Sequence, residues 1–158
     1  MADIVAGGFI ILKQTDSLSE TPNQKTHPEF DGRNYEFLLL QNKAHEEWGF
    51  PKGHKDGDEE KIAECAWREL REETNLKPEN VKLVADRPLR IEYDVNLENE
   101  SGKKQVYYFI GEMISGVPII SMEHTDYGFF NPADTHEMVK HESLQVLVRY
   151  VCQNHKSI

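Results

Sequence analysis

Apolar and polar positions along this chain predict strands before helices. Residues 4–13 (IVAGGFIILK) read as a first strand, with Gly7 and Gly8 suggesting close approach of another backbone. Residues 14–34 are polar, carry two prolines and predict a long mobile loop. Tyr35–Gln41 is a second strand, followed by a turn through His45, Glu46 and Glu47 and a stretch, WGFPKGH, broken by proline and glycine. A helix is expected over Glu59–Thr74, with Asp58 as N-cap and Asn75 and Pro78 as stop signals. Strands follow at 81–86, 88–95 and 104–114, the last two joined by the loop NLENESGKK, and a short strand at Asp126–Phe130. Leu144, Leu147, Val148 and Val151 recur at i, i+3, i+4 and i+7 and give a C-terminal helix. The whole predicts an α/β protein, a mixed β-sheet flanked by helices, in one domain over 1–158 without internal repeats.

Composition narrows the function. Of 158 residues, 38% are hydrophobic and 29% charged, as in a water-soluble globular chain. No apolar run approaches the roughly 20 residues of a membrane span, and the N-terminus, MADIVAGGFIILK, reads as a strand and not a signal peptide. Cys65 and Cys152 make neither a disulfide framework nor a CxxC knuckle, so the cytoplasm is the expected location. A formal charge of −10 argues against long nucleic acid as a partner, because phosphate backbones are bound by basic surfaces. A monomer acting on a small molecule is expected.

The acidic excess concentrates between Asp56 and Glu73. At 100° per residue Ile62, Ala63, Ala66, Trp67 and Leu70 fall within about 140°, which suffices for a core stripe. Glu64–Arg68 and Arg68–Glu72 are opposite-charge i, i+4 pairs, as on a solvated helix face. Glu69 and Glu73, however, are like-charged i, i+4 partners on the flank of that stripe, with Glu72 beside them. Each such pair costs about 0.2–0.5 kcal/mol when exposed. Hard oxygen ligands on one rigid element are what Mg²⁺ or Mn²⁺ requires, and a cation reverses the sign of the repulsion. His136 and His141 do not make an HExxH zinc site, because they stand five apart and not four.

These residues resemble the signature of the Nudix hydrolases: Gly, five residues, Glu, seven residues, Arg-Glu-apolar-any-Glu-Glu-any-Gly-apolar. Gly53, Glu60, Arg68, Glu69, Leu70, Glu72, Glu73 and Leu76 take those places. Six residues separate Gly53 from Glu60, one more than the signature has, and Asn75 replaces its last glycine. Asparagine also tolerates the left-handed end of a helix. YEFLLLQ, WGFPKGH, VYYFIGE and EHTDYGFF are in addition similar to asymmetrical diadenosine tetraphosphate hydrolases.

The resemblance implies a Nudix α/β/α sandwich that hydrolyses phosphoric anhydrides with Mg²⁺ or Mn²⁺ as cofactor. It implies Glu69, Glu72, Glu73, Glu123 and the Gly53 carbonyl as metal ligands, and Arg68 as the group that orients the carboxylates, with Glu60 as its partner. Glu69, Glu73, Arg68 and Glu123 form the expected catalytic set, Glu123 being a further ligand or general base. Lys52, His54, Lys104 and Tyr108 are expected on the phosphates, and Tyr127 on a nucleobase, with Gly128 leaving room for a flat ligand. Cys65 is expected to pack beneath the carboxylates. Diadenosine tetraphosphate hydrolysis to ATP and AMP leads; the alternatives are an RNA 5′-end pyrophosphohydrolase or decapping enzyme, and a non-catalytic nucleotide-binding module.

Overall fold

The computed structural model describes residues 3–15, 30, 32–97 and 100–158. The expectation of a mobile loop over 14–34 falls mostly outside them, but both of its ends are fixed: Gln14 closes the first strand, the Thr15 N–H donates to Asn34 O, and Phe30 is buried.

Strand β1 (Asp3–Gln14) is the axis of a mixed sheet. Its run from Ala6 to Leu12 is buried on both faces, which is why the sequence there is continuously apolar. It lies parallel to β7 (Glu100–Met113), with Gly8 opposite Tyr108 and Ile4 opposite Lys104. Along its other edge β1 takes two partners. β2 (Tyr35–Asn42) pairs with its C-terminal end, and β4 (Lys52–His54) pairs with its N-terminal half, Gly8 opposite Lys52 and Ala6 opposite His54. The far edge of β7 is divided the same way between β5 (Val81–Leu83) and β6 (Leu89–Leu97). β3 (Trp48–Gly49) and β8 (His124–Phe130) both pair with β2.

Alternate side chains feed two cores. Phe9, Ile11, Leu38 and Leu40 pack with Ala66 and Leu70 of α1 (Ile62–Thr74). Ile10, Leu12, Phe37 and Leu39 pack with Leu147, Val148 and Val151 of α3 (Glu142–Asn154), which α2 (Pro132–Met138) precedes. The sandwich is therefore helix, sheet, helix. Fully burying one such aliphatic or phenyl side chain is worth about 1.5–3 kcal/mol.

Several sequence boundaries move. The WGFPKGH stretch is not irregular: it carries β3 and β4, each too short to show a period. The strand expected over 81–86 ends at Leu83, and the loop expected between the long hairpin strands is mostly strand, since β6 reaches Leu97 and β7 starts at Glu100. α2 was not foreseen. It starts after Asn131, whose side chain accepts from the Asp134 N–H, with Pro132 in the first turn. Most important for the site, α1 starts at Ile62 and not Glu59; its N-cap is Lys61, not Asp58. The Glu64 carboxylate reaches back to the Lys61 N–H at 2.9 Å, half of a capping box. Asn75 closes the helix at φ 61°, the left-handed conformation expected of it.

Candidate functional site

The glycine pair of β1 sets how closely the site's elements meet. A Cβ on Gly7 would lie 2.9 Å from the Ile62 carbonyl of α1, and one on Gly8 would lie 2.7 Å from Lys52 Cβ and overlap the Pro51 carbonyl. Only hydrogen fits at either position, so helix α1 and the 51–53 segment both press onto the strand.

The buried stripe of α1 is rotated from the one expected. Ala63 is exposed, while Cys65, Ala66, Leu70, Glu73 and Thr74 are buried and Glu69 is partly so. Glu69 and Glu73 therefore lie within the stripe and not on its flank. Glu73 is 8% exposed, and one of its oxygens accepts the Lys52 N–H at 3.1 Å. Burial, then proximity to Glu69 and Glu123, pushes its carboxyl up to about 8. Burial, then the neighbouring Glu72, pushes Glu69 up to about 6. Gly53 lies against Glu69 so closely that a Cβ there would overlap the carboxylate.

Arg68 works on the opposite flank. Its Nε and Nη2 bind Glu60 at 2.7 and 3.0 Å, Nη1 binds Glu72 at 3.0 Å and stands 3.6 Å from Glu69, and Nη2 also donates to the His54 carbonyl at 3.0 Å. These bonds, with the Asp56 N–H that Glu60 also accepts, hold the Glu60 carboxyl down at about 2. Glu60 thus pairs with Arg68 as expected, but from the loop before the helix and not from its first turn. The extra residue between Gly53 and Glu60 lies in an exposed bend whose turn Gly57 takes at φ 82°. Cys65 packs beneath, its Sγ 3.4 Å from the Gly53 carbonyl.

A cleft of about 1100 Å³ gathers most of the expected residues. Gly53, Glu69, Glu73 and Glu123 line it, and so do Lys52, His54, Lys104 and Tyr108. The cations repel one another: burial and then Lys52 bring Lys104 down to about 8, and burial, Lys104 and Lys52 lower His54. The Tyr108 ring is fully buried, and its hydroxyl is a buried polar atom without a hydrogen-bond partner among the described residues. Burial raises its pKa. Glu123 is exposed in the turn before β8, where Ser121 Oγ accepts its N–H and its carbonyl accepts the Lys43 N–H at 2.9 Å.

Three expected residues stand outside this lining. Arg68 and Glu72 hold each other on the outer flank of α1. Tyr127 sits opposite Leu40 in the β2–β8 pair and packs with Phe129 and the α1-side core; the space beside Gly128 is filled by the Phe130 ring. Conversely, the cleft extends to Trp48, Phe50, Ile91 and Tyr93, and to the 45–48 turn and the start of α3. No local pattern in the chain marks these walls, because they meet across nearly a hundred residues.

Among the described residues no three His, Cys, Asp or Glu side chains are already placed around one point. The donor chemistry nonetheless fits a hard divalent cation: the buried Glu73 and the partly buried Glu69 carboxylates repel each other beside Glu123, and among the described residues the ion pair that reaches them, Arg68 Nη1 to Glu69, is 3.6 Å long. Glu69, Glu73 and Glu123 could hold it. The Gly53 carbonyl already faces the Cys65 thiol, and Glu72 is engaged by Arg68.

These shifts predict a pH dependence. The Glu73 carboxyl, raised above its ordinary 4.5, contributes stability that is fully present below 4.5 and lost as pH rises through about 8. Glu69 acts likewise through about 6. His54 and His124, lowered from 6.5, give the opposite slope but only below 6.5, and Lys104 gives it above about 8. Metal-free protein should therefore lose stability between pH 6.5 and 8, with Glu73 as the cause. Chelator-treated protein melted across this window should show the slope, and Glu73→Gln should flatten it. An unchanged slope in that variant would count against the buried-charge account.

The NUDIX domain profile matches residues 28–150. RNA pyrophosphohydrolase of Xanthomonas axonopodis pv. citri is 34% identical over 87 residues, a match covering 50% of this chain and 42% of that protein. That of Stenotrophomonas maltophilia is 32% identical over 87 residues, covering 50% and 41%. The match thus spans less than half the length of these curated relatives. Among solved structures, a C. elegans Ap4A hydrolase in a binary complex superposes with TM-score 0.74 at 22% identity, covering 96% of both chains. E. coli dihydroneopterin triphosphate pyrophosphohydrolase gives 0.69 at 15% identity, also covering 96% of both. At these identities the structural likeness speaks for the fold. No helix among the described residues is long and apolar enough to cross a membrane.

Proposed function

The chain belongs to the Nudix family, and from that premise we propose that it hydrolyses a phosphoric anhydride in a nucleoside polyphosphate, with diadenosine tetraphosphate, split to ATP and AMP, as the substrate. One observation carries this reading. A single cleft sets the carboxylates of Glu69, Glu73 and Glu123 together with the cations Lys52, Lys104 and the His54 ring. Polyphosphate needs the cations, and a divalent metal that accompanies it needs the carboxylates. When bound, that metal supplies charge neutralisation at phosphate oxygens and acidifies a water.

The chain's own residues do the rest. Lys52, His54 and Lys104 orient the phosphate chain, since displacement at phosphorus is mainly positioning and charge stabilisation. The Tyr108 hydroxyl, on a side chain that lines the cleft and without a hydrogen-bond partner among the described residues, is the donor assigned to a phosphate oxygen in this reading. Arg68 fixes the end of β4 through the His54 carbonyl, and keeps Glu72 oriented on the helix. Glu73, mostly protonated at neutral pH while metal-free, must give up its proton on taking a metal.

The names of the curated relatives favour a second reading, removal of pyrophosphate from RNA 5′ ends. The charge of −10 weighs against a long RNA partner. A nucleotide sensor without turnover is disfavoured because Glu69, Glu72 and Glu73 are all retained. Chromatography of products from diadenosine tetraphosphate, nucleotide sugars and triphosphorylated RNA, each with Mg²⁺ and with chelator, separates the three. The expected result is ATP plus AMP, dependent on Mg²⁺. Two molecules of ADP would place the attacking water elsewhere, and preferential release of pyrophosphate from RNA would replace the reading with the second one.

A further inference from the structure

Glu69 and Glu73 share one helix, but Glu123 reaches the cleft from a turn far along the chain. Its carboxylate makes no hydrogen bond or ion pair among the described residues, yet its charge acts on both helix carboxylates. The backbone alone therefore places it. Met122 beside it is 90% exposed, so packing does not hold the turn; hydrogen bonds do. The His124 N–H donates to the Ser121 carbonyl at 3.1 Å, closing a four-residue turn with Glu123 in third place. The Ser121 hydroxyl accepts the Glu123 N–H at 3.4 Å, the contact serine makes two residues ahead in such turns. The same oxygen lies 3.2 Å from His124 Nδ1. A hydroxyl can serve both, with two acceptor lone pairs and one proton. The N–H of Ser121 is tied to α1, whose last carbonyls its own chain cannot satisfy. Four residues past Thr74 stands Pro78, which has no N–H, and four past Glu73 the Lys77 N–H is taken by Asn80 Oδ1 at 3.0 Å. Instead the Ile119 N–H meets the Thr74 carbonyl at 2.9 Å, and the Ser121 N–H meets the Glu73 carbonyl at 3.2 Å. Ser121 thus grips Glu73 by its backbone and Glu123 by its hydroxyl.

We propose, on the metal-dependent reading of the cleft, that Ser121 is a positioning residue that sets the Glu123 carboxylate against Glu73 and so fixes the affinity for a divalent cation. Ser121 touches neither cation nor substrate in this role; it acts through Glu123. The spacing of Glu69 and Glu73 is built into the helix. Glu123 is the adjustable member, and each bond lost from its turn widens the range of positions that it samples. A carboxylate spread over that range must be ordered when the cation arrives, and the ordering is subtracted from binding. The bond from the Lys43 N–H to the Glu123 carbonyl, 2.9 Å long, does not involve Ser121. Loss of the hydroxyl therefore loosens the turn without detaching it.

Mn²⁺ alone, titrated into substrate-free protein and followed by the electron paramagnetic resonance of the free ion, tests this without turnover. Ser121→Ala should bind Mn²⁺ about tenfold more weakly, the low end of the roughly 10–100-fold that outer partners of metal ligands are worth. Its metal-free melting temperature should change little, because the turn is largely exposed. Ser121→Thr, which keeps the hydroxyl, should bind like the native protein. In a Glu123→Gln background, Ser121→Ala should cost nothing further, because both changes act on one carboxylate. Should Ser121→Ala fail to fold, Ser121→Cys, close in shape and a poor acceptor, takes its place in the same cycle. Native affinity in Ser121→Ala overturns the proposal, as does a Thr variant no better than alanine. So does a loss on the Glu123→Gln background as large as in the native protein. If Mn²⁺ affinity moves as described yet diadenosine tetraphosphate is not cleaved, the role of Ser121 stands and the anhydride reading fails. Mg²⁺-dependent cleavage with native Mn²⁺ affinity in Ser121→Ala supports the anhydride reading and overturns the role of Ser121. A native protein that binds no Mn²⁺ removes both.

Discussion

Glu73→Gln should lower turnover by at least about a hundredfold while making the metal-free protein more stable at pH 8. Groups that merely orient metal ligands are worth 10–100-fold, and loss of a ligand itself should cost no less. Glutamine keeps the Oε1 acceptor for the Lys52 N–H, so the bond that joins β4 to α1 survives. What it removes is a charge buried within the helix stripe, beside Glu69 and in the field of Glu123. That charge is unfavourable in the metal-free state and indispensable once a cation arrives. The two measurements should therefore move in opposite directions: kcat down, melting temperature at pH 8 up. Mg²⁺ should raise the melting temperature of the native protein and leave that of the variant nearly unchanged. A variant as active as the native enzyme, or one that keeps the full Mg²⁺ response, would remove Glu73 from the metal site. Glu69→Gln should act alike on turnover but less on stability, because its carboxyl is less displaced.

Helix α1 was legible in the sequence where period and charge agreed, and misleading where the loop intervened. The spacing of Glu69 and Glu73 pointed to a shared task, and both do enter the cleft. The start of the helix was misplaced because Asp58, Glu59 and Glu60 look like an acidic first turn. Glu60 is instead spent on Arg68 and the Asp56 N–H, bonds that only the folded loop can make. Gly7 and Gly8 announced close packing correctly, since no other reason for two glycines in a buried strand presents itself. Tyr127 stands outside the cleft lining for a geometric reason. Four residues from Glu123 is close in sequence, but between them the chain passes from a turn into β8, where pairing with Leu40 sends the ring to the α1-side core. The Glu47–His141 contact joins residues 94 apart, and nothing local in the chain distinguishes either partner. Long-range walls of this kind are set by the sheet order and become visible only in three dimensions.

Gly53→Ala should abolish most activity while leaving the fold nearly intact, and the contrast with Gly8→Ala explains why. A Cβ on Gly53 would overlap all three terminal atoms of the Glu69 side chain. Gly53 does not have a left-handed backbone, so alanine adds bulk without backbone strain. The obstacle is the end of a flexible side chain, which can swing away at modest cost. The protein then folds, but Glu69 leaves the position it holds beside Glu73, and turnover should fall to about the level of Glu69→Gln. On Gly8 the obstacles are the Pro51 carbonyl and Lys52 Cβ, which are fixed to the backbone of the β4 segment and cannot rotate aside. There alanine must push neighbouring strands apart, and overpacking of this kind costs about 1–3 kcal/mol or more. Gly8→Ala should thus lower the melting temperature clearly, whereas Gly53→Ala should lower kcat with little change in melting. Combining Gly53→Ala with Glu69→Gln should cost little beyond either change alone, because both remove the same carboxylate from the same place. If the two losses multiply, Gly53 has a separate task, with its carbonyl acting on the metal or the substrate.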